Sequence, residues 1–284
     1  MESTALILEG GGMRGAFTAG VLDCWLDHAL LFRNVYGVSA GACQACSYLC
    51  GQKGRAIRIW IKYCKDKRFC SFSSFLHTGD IFNADFNYRQ IPSELDPIDN
   101  SFYLKNECRF YTVVSNLTTG QAEYLQVYDM LRDVSLVQAS SSLPLLSRPV
   151  NINGQLYLDG GATDSIPLYA SIKAGNTKHV LVLTQASDYR KSPNRAMPLI
   201  ALRYRKYPQF VEALRSRHEI YNQTLDLIEK EKSAGRAFVI QPESTPDVGR
   251  IEHDPNKLQA LYEAGYSIAE QKYASLMSFL KKQP

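Results

Sequence analysis

Two glycine-marked stretches carry the residue types that could do chemistry: Leu6-Ile7-Leu8-Glu9-Gly10-Gly11-Gly12-Met13-Arg14-Gly15 and Gly37-Val38-Ser39-Ala40-Gly41. Gly10, Gly12 and Gly15 fit G-x-G-x-x-G, a backbone that can clasp a dinucleotide pyrophosphate. That use also needs a carboxylate about 20 residues on, at the end of the second strand, to hold the ribose. No Asp or Glu lies between Asp27 and Asp66, and Gly37 to Gly41 occupy the place where it should stand. A dinucleotide oxidoreductase is therefore disfavoured. G-x-S-x-G is instead a nucleophile elbow, a serine on a tight strand-to-helix turn. Gly37 and Gly41 relieve the crowding there, so that the Ser39 hydroxyl projects. The opening glycines then gain a second use. Backbone N–H groups of Gly10, Gly11 and Gly12, at a helix start, can hold the oxygen that turns negative during acyl transfer.

An attacking serine must lose its proton to a base. The sequence offers two. Of the five histidines (His28, His77, His179, His218 and His253), His253 follows the last strand, matching the chain order Ser, Asp, His of an α/β-hydrolase triad. The other base is Asp159, in Leu156-Tyr157-Leu158-Asp159-Gly160-Gly161. A strand delivers it, and Gly160 and Gly161 let another backbone come close. A free Asp, with a pKa of about 3.9, is a weak base at neutral pH. Burial would raise it. Ser140, Ser141 and Ser142 have no glycine elbow and read as turn or capping residues.

These side chains need a frame. Residues 4–9, 35–38, 110–116, 155–158, 179–184 and 237–241 read as strands, and 121–127 as the hairpin partner of 110–116. Helical spacing marks 15–32, 55–64, 129–140, 166–174, 210–232 and 255–281, and a small-residue helix starts at Ala40. Residues 65–104 read as loop-rich, with the aromatic run 69–86 as a lid. Strands alternating with helices imply an α/β fold, a mainly parallel sheet in three α/β/α layers. One domain over 1–284 is expected: a core of about 4–185, and a mostly helical part, 186–284, whose single strand packs on that core.

The bulk properties narrow the partners. The chain has 284 residues, 45% hydrophobic and 21% charged, as globular domains do. A net charge of +4 without a long basic run argues against nucleic acid. No secretory signal and no membrane span is read, and the seven cysteines suit a reducing compartment. A cytoplasmic location is expected, with peripheral contact to the inner membrane face. Arg203-Tyr204-Arg205-Lys206-Tyr207 would make that contact, its rings at the interface. Cys43, Cys46 and Cys50 share one helix face and read as core thiols rather than a metal site. Neither metal nor cofactor is expected.

Together, Gly10-Gly11-Gly12-Met13-Arg14-Gly15, Gly37-Val38-Ser39-Ala40-Gly41 and Asp159-Gly160-Gly161 resemble the patatin-like phospholipase family in order and spacing. Ala139-Ser140-Ser141-Ser142-Leu143-Pro144 is similar to the stretch that precedes the family aspartate. The likeness covers roughly 4–185, and the C-terminal part looks like a bacterial subgroup. It implies a patatin-like three-layer fold and metal-free hydrolysis of lipid or phospholipid acyl esters. Ser39 would be the nucleophile, Asp159 the base, Gly10 to Gly12 the oxyanion loop, and Arg14 its support. Two other readings stand beside it: a conventional esterase with a Ser39–His253 triad, and a non-catalytic lipid-binding protein on the same fold.

Overall fold

The computed structural model describes residues 3–282, so positions 1–2 and 283–284 of the expected single-domain span lie outside the described residues. Eight strands form one sheet. β1 (Thr4–Leu8) is central, flanked in parallel by β2 (Asn34–Val38) and β7 (Lys178–Val182), with Ile7 opposite Tyr36 and Leu181. β3 (Arg109–Asn116) extends the parallel set beyond β2, and β8 (Ala237–Ile240) does so beyond β7. Three strands run antiparallel: β4 (Ala122–Val127) and β6 (Gln155–Asp159) pair with β3, and β5 (Val150–Ile152) pairs with β6.

Both faces of the parallel region are covered, which is why β1 is buried at every position. Leu6, Leu8, Val180, Val182 and Ile240 point to one layer of helices. That layer contains α1 (Gly15–Asp27), α2 (Ala40–Leu49), α3 (Arg55–Tyr63) and α10 (Pro255–Lys281). Ala5, Ile7, Tyr36 and Leu181 point the other way, onto Leu168 of α7 (Leu168–Lys173) and Tyr221 and Ile228 of α9 (Pro208–Ser233). The alternation is the period of two expected for strands between two apolar layers. Glycines let α1 and α10 touch backbone to backbone. A Cβ on Gly20 would sit 2.0 Å from the Tyr262 carbonyl oxygen, and one on Gly265 2.1 Å from that of Phe17.

Several elements differ from the sequence expectation. α1 stops at Asp27, not residue 32, because Ala29 takes a φ of 51° and the Leu30 N–H turns back to the Trp25 carbonyl at 2.8 Å. Leu30 and Phe32 are still buried, so their apolar spacing reflects core packing after the helix ends. The stretch 65–104 holds α4 (Phe72–Thr78), a π-helix (Phe86–Leu95) and α5 (Asn100–Lys105). Ser71 caps α4 by accepting from the Ser74 N–H, and Asp99 caps α5. α6 spans Val134–Ser140, shorter than expected, because Asp129 and Asp133 accept from neighbouring backbone N–H groups and hold a turn before it. A further short helix, α8 (Met197–Arg203), lies between β7 and α9, where no helix was expected.

Candidate active site

Strand register brings the two motifs together. β4 takes one edge of β3, pairing Val113 with Tyr124 and Val114 with Glu123. On the opposite edge, β2 ends with Val38 against Val113, and antiparallel β6 ends with Asp159 against Val114. The two strands meet tip to tip at adjacent rungs, and the residues at their tips are Ser39 and Asp159. The Ser39 hydroxyl donates to Asp159 Oδ2 at 2.6 Å, in a buried pocket.

The elbow is tight. Ser39 has φ 53° and ψ −122°, a strained conformation that only its surroundings can hold. A Cβ on Gly37 would lie 2.7 Å from Ala42 Cα, and one on Gly41 2.5 Å from the Leu8 carbonyl oxygen. The Ser39 N–H donates to Ser140 Oγ at 3.0 Å, and that hydroxyl donates to the Val113 carbonyl at 2.6 Å. Ser140 therefore locks the elbow to β3. Sequence reasoning gave it a turn or capping role within the family-like stretch before Asp159, since nothing local marks a contact made 101 residues away.

Asp159 is fixed from several sides. Its Oδ1 accepts from the Gly161 N–H at 2.7 Å, and its backbone carbonyl accepts from Ser115 Oγ at 2.8 Å. Gly160 presses on β3 so closely that a Cβ would be 2.1 Å from the Val113 carbonyl oxygen. Burial pushes the carboxyl above the ordinary carboxylate value. The Ser39 and Gly161 hydrogen bonds and the charges of Arg217 and Arg250 oppose that rise. Arg217, on α9, is held by the Gly161 carbonyl and, at 3.3 Å, by Ser165 Oγ. It had no sequence signal, because it stands among ordinary helix charges.

The glycine loop wraps over this pair. A Cβ on Gly10 would lie 3.0 Å from Ser39 Cβ, and one on Gly11 2.6 Å from Thr184 Oγ1. Gly12 has a φ of 59° and abuts the Arg250 backbone, whose carbonyl accepts from the Met13 N–H at 3.1 Å. Among the described residues, the N–H groups of Gly10, Gly11 and Gly12 have no acceptor. Beneath the loop, Glu9 accepts from the Thr184 N–H at 2.7 Å and from Tyr221 Oη at 2.6 Å. Arg14 is half-buried beside it, and among the described residues its buried Nε has no partner.

Ser39 lies on the walls of two cavities. One is an apolar slot of about 150 Å³, with Met13, Cys43, Ile59, Trp60, Tyr88 and Val137 on its walls. The other is larger, about 500 Å³, with apolar walls that include Leu145, Leu199 and Ile200 and a charged side at Gly10 to Gly12, Asp159 and Arg217. Of the aromatic run expected to be a lid, Phe69 and Phe82 line the slot, Phe75 lines the larger cavity, and Phe72 is exposed. His253 points elsewhere: its Nδ1 is 2.6 Å from the Cys64 carbonyl oxygen, and it makes no hydrogen bond to Ser39 or Asp159. Tyr204, expected at a membrane interface, is buried against Phe210, and its hydroxyl accepts from the Leu145 N–H. Cys43 and Cys46 line the slot, and burial pushes both thiols up. Among the described residues, the one group of side chains close enough to share a metal ion is Cys24, His28 and Glu270, between α1 and α10.

The family model of patatin-like phospholipases matches residues 6–172. The chain belongs to this family. Its mixed, mostly parallel sheet between helical layers is the patatin fold. A second model, a domain of unknown function, matches residues 207–281. The patatin-like chain is 30% identical to the uncharacterized protein YjjU of Escherichia coli, over 66% of its own length and 54% of that protein. It therefore spans about half of that relative. It is 22% identical to the probable lipid hydrolase 463L of Invertebrate iridescent virus 6, over 66% and 72% of the two chains. It is 25% identical to the lysophospholipase NTE1 of Candida albicans, over 68% of its own length and 14% of that protein. Among solved structures, VipD from Legionella pneumophila aligns with 96% of this chain and 67% of its own, at 15% identity and a TM-score of 0.47.

Proposed function

We propose that the chain is a lipid acyl hydrolase, a serine carboxylic-ester hydrolase working through a Ser39–Asp159 dyad. The observation that carries this reading is the 2.6 Å hydrogen bond from the Ser39 hydroxyl to a buried carboxylate, beneath three glycine N–H groups that have no acceptor among the described residues. Asp159 takes the Ser39 proton as Oγ attacks the ester carbonyl. Gly10 to Gly12 donate to the oxyanion, each donor contributing roughly 10²–10³ in rate. Asp159 returns its proton to the departing alcohol, and the acyl group stays on Ser39. Water, deprotonated by Asp159, then releases the fatty acid. The apolar slot takes the acyl chain, and the related lipid hydrolase and lysophospholipase support a lipid ester as substrate.

The same reading puts the enzyme on a membrane surface. Phe72 and Leu76 of α4 and Leu199 and Leu202 of α8 are 56–69% exposed, on the two helices whose Phe75 and Leu199 line the larger cavity. Arg203, Arg205 and Lys206 follow directly and are exposed. Apolar side chains flanked by cations suit insertion into an anionic lipid surface. Seven unpaired cysteines favour the cytoplasmic face. The test is hydrolysis of p-nitrophenyl acyl esters by wild type and Ser39→Ala, with mass spectrometry for an acyl group on Ser39. The reading expects turnover and a trapped acyl-enzyme in wild type only. Lipid binding by a wild type that cleaves no ester of any chain length would leave a binding module in its place.

A further inference from the structure

The larger cavity beside Ser39 carries an unusual load of positive charge on one side. Arg14, Lys191, Arg217 and Arg250 all line it, with Glu9 and Asp159 as the carboxylates. Both carboxylates are committed elsewhere, Glu9 to Thr184 and Tyr221 and Asp159 to Ser39 and Gly161. Among the described residues, none of the four cations makes an ion pair, whereas arginines elsewhere do, such as Arg55 and Arg58 with Asp96 and Arg236 with Glu231. The Arg14 Nε is buried without a partner. Arg217 has only a carbonyl and a hydroxyl. The Lys191 ammonium rests 4.0 Å from the centre of the Tyr221 ring.

Arg14, Lys191 and Arg217 are half-buried and Arg250 is exposed, and holding cations beside one another where water is partly excluded is costly unless an anion joins them. Lys191 registers that cost: burial, and then Arg217, Arg250 and Arg14, push its pKa down to about 7, with only Glu9 opposing among the charges facing it. Three of the four cations lie beyond the segment matched by the patatin-like model, and Arg217 and Arg250 lie in the part matched by the domain of unknown function. The cavity also shares Ser39 with the apolar slot, so a group bound in it sits on the leaving-alcohol side of an ester whose acyl chain fills the slot.

We infer that this cavity binds the phosphate of a lipid headgroup, and that Lys191, Arg217 and Arg250 make the enzyme select glycerophospholipids with a net-negative headgroup over zwitterionic ones. The inference rests on the hydrolase reading above. A quaternary ammonium finds no free carboxylate here, and the Tyr221 ring already carries Lys191. The C-terminal segment thereby becomes a specificity element for the patatin-like core.

Binding is tested on Ser39→Ala protein, which keeps all four cations and cannot turn substrate over. Calorimetric titrations would use dihexanoyl phosphatidic acid and dihexanoyl phosphatidylcholine, both kept monomeric so that no lipid surface contributes. Phosphatidic acid should bind at least about tenfold tighter, the size of one charged hydrogen bond. On the same background, Lys191→Gln with Arg250→Gln should bring the two lipids to within about threefold, and each single change should fall between. Equal binding of the two lipids by the parent, or a preference that survives the double change, overturns the inference. So does inorganic phosphate binding as tightly as the lipid through the same two residues, which would make this a free-anion site. Wild-type cleavage of p-nitrophenyl butyrate, and its loss in Ser39→Ala, judges the hydrolase reading separately.

Discussion

Replacing Asp159 by Asn separates the chemistry of this site from its stability. The substitution keeps the side-chain shape, and the remaining amide oxygen can still accept the Gly161 N–H now bonded at 2.7 Å. What changes is the group 2.6 Å from Ser39 Oγ, an acceptor in the wild type and an N–H donor in the variant. The hydroxyl must then accept, its lone pair is occupied, and its proton has nowhere to go. A positioned general base contributes roughly 10²–10⁴ in rate, about 3–5 kcal/mol. No histidine bonds to either member of the pair, so the upper part of that range is expected: a kcat loss of about 10³-fold or more with KM little changed. Stability should move the other way. The carboxyl of Asp159 has a folded pKa above the 3.8 of its ordinary state, so the native protein holds this proton more tightly than the unfolded chain. Wild type therefore loses stability relative to the neutral Asn variant as pH rises from 3.8 through the folded value, and the gap stays constant above it. Thermal unfolding from pH 4 to 8, beside p-nitrophenyl butyrate kinetics, reads both effects. Wild-type kcat/KM should also fall toward acid with a midpoint above 3.8. An Asn variant that keeps more than about a tenth of the wild-type rate, or melts below wild type at neutral pH, would refute the assignment of Asp159 as the buried base.

Other perturbations reach different parts of the site. Gly12→Ala should lower kcat by roughly 10²–10³. Its Cβ would stand 2.5 Å from the Arg250 carbonyl oxygen at a φ of 59°, displacing the donor loop, and a fall in melting temperature should accompany the loss. His253→Ala should leave ester hydrolysis close to wild type, since its ring nitrogen serves the Cys64 carbonyl; collapse of the rate would restore the triad. Phe72→Ser combined with Leu202→Ser should weaken sedimentation with anionic vesicles by at least about tenfold, because each fully buried apolar side chain is worth about 1.5–3 kcal/mol. Unchanged sedimentation would remove α4 and α8 from the membrane face.

How much of this was legible depends on how local each signal is. Ser39, Asp159 and the loop glycines announce themselves because the backbone around each must be tight, and tightness is written in adjacent glycines. The central strands were legible because burial on both faces leaves continuous apolar runs. Lys191, Arg217 and Arg250 were not, since each sits in an ordinary segment and gains meaning only where α9 and the chain before α10 fold over the sheet. The stretch 65–104 hid three helices for another reason. A π-helix has a wider turn than the 3.6-residue period sought in the sequence, and Pro92 inside it reads as a breaker. The helix at 15–32 was drawn too long because Leu30 and Phe32 keep an apolar rhythm after the backbone has turned at Ala29.

Under the proposed function, the tip-to-tip meeting of β2 and β6 on one edge of β3 also sets the order in which activity arises as the chain is made. Synthesis delivers Ser39 early, 120 residues before Asp159. Until β6 docks, Ser39 is an ordinary alcohol. Even then the donor loop waits for Arg250, whose carbonyl anchors the Met13 N–H. A ribosome must release most of the polypeptide before any ester can be cut. Under that function a chain that stops short of Arg250 lacks the anchor of its donor loop, and an unfinished molecule attacks no lipid.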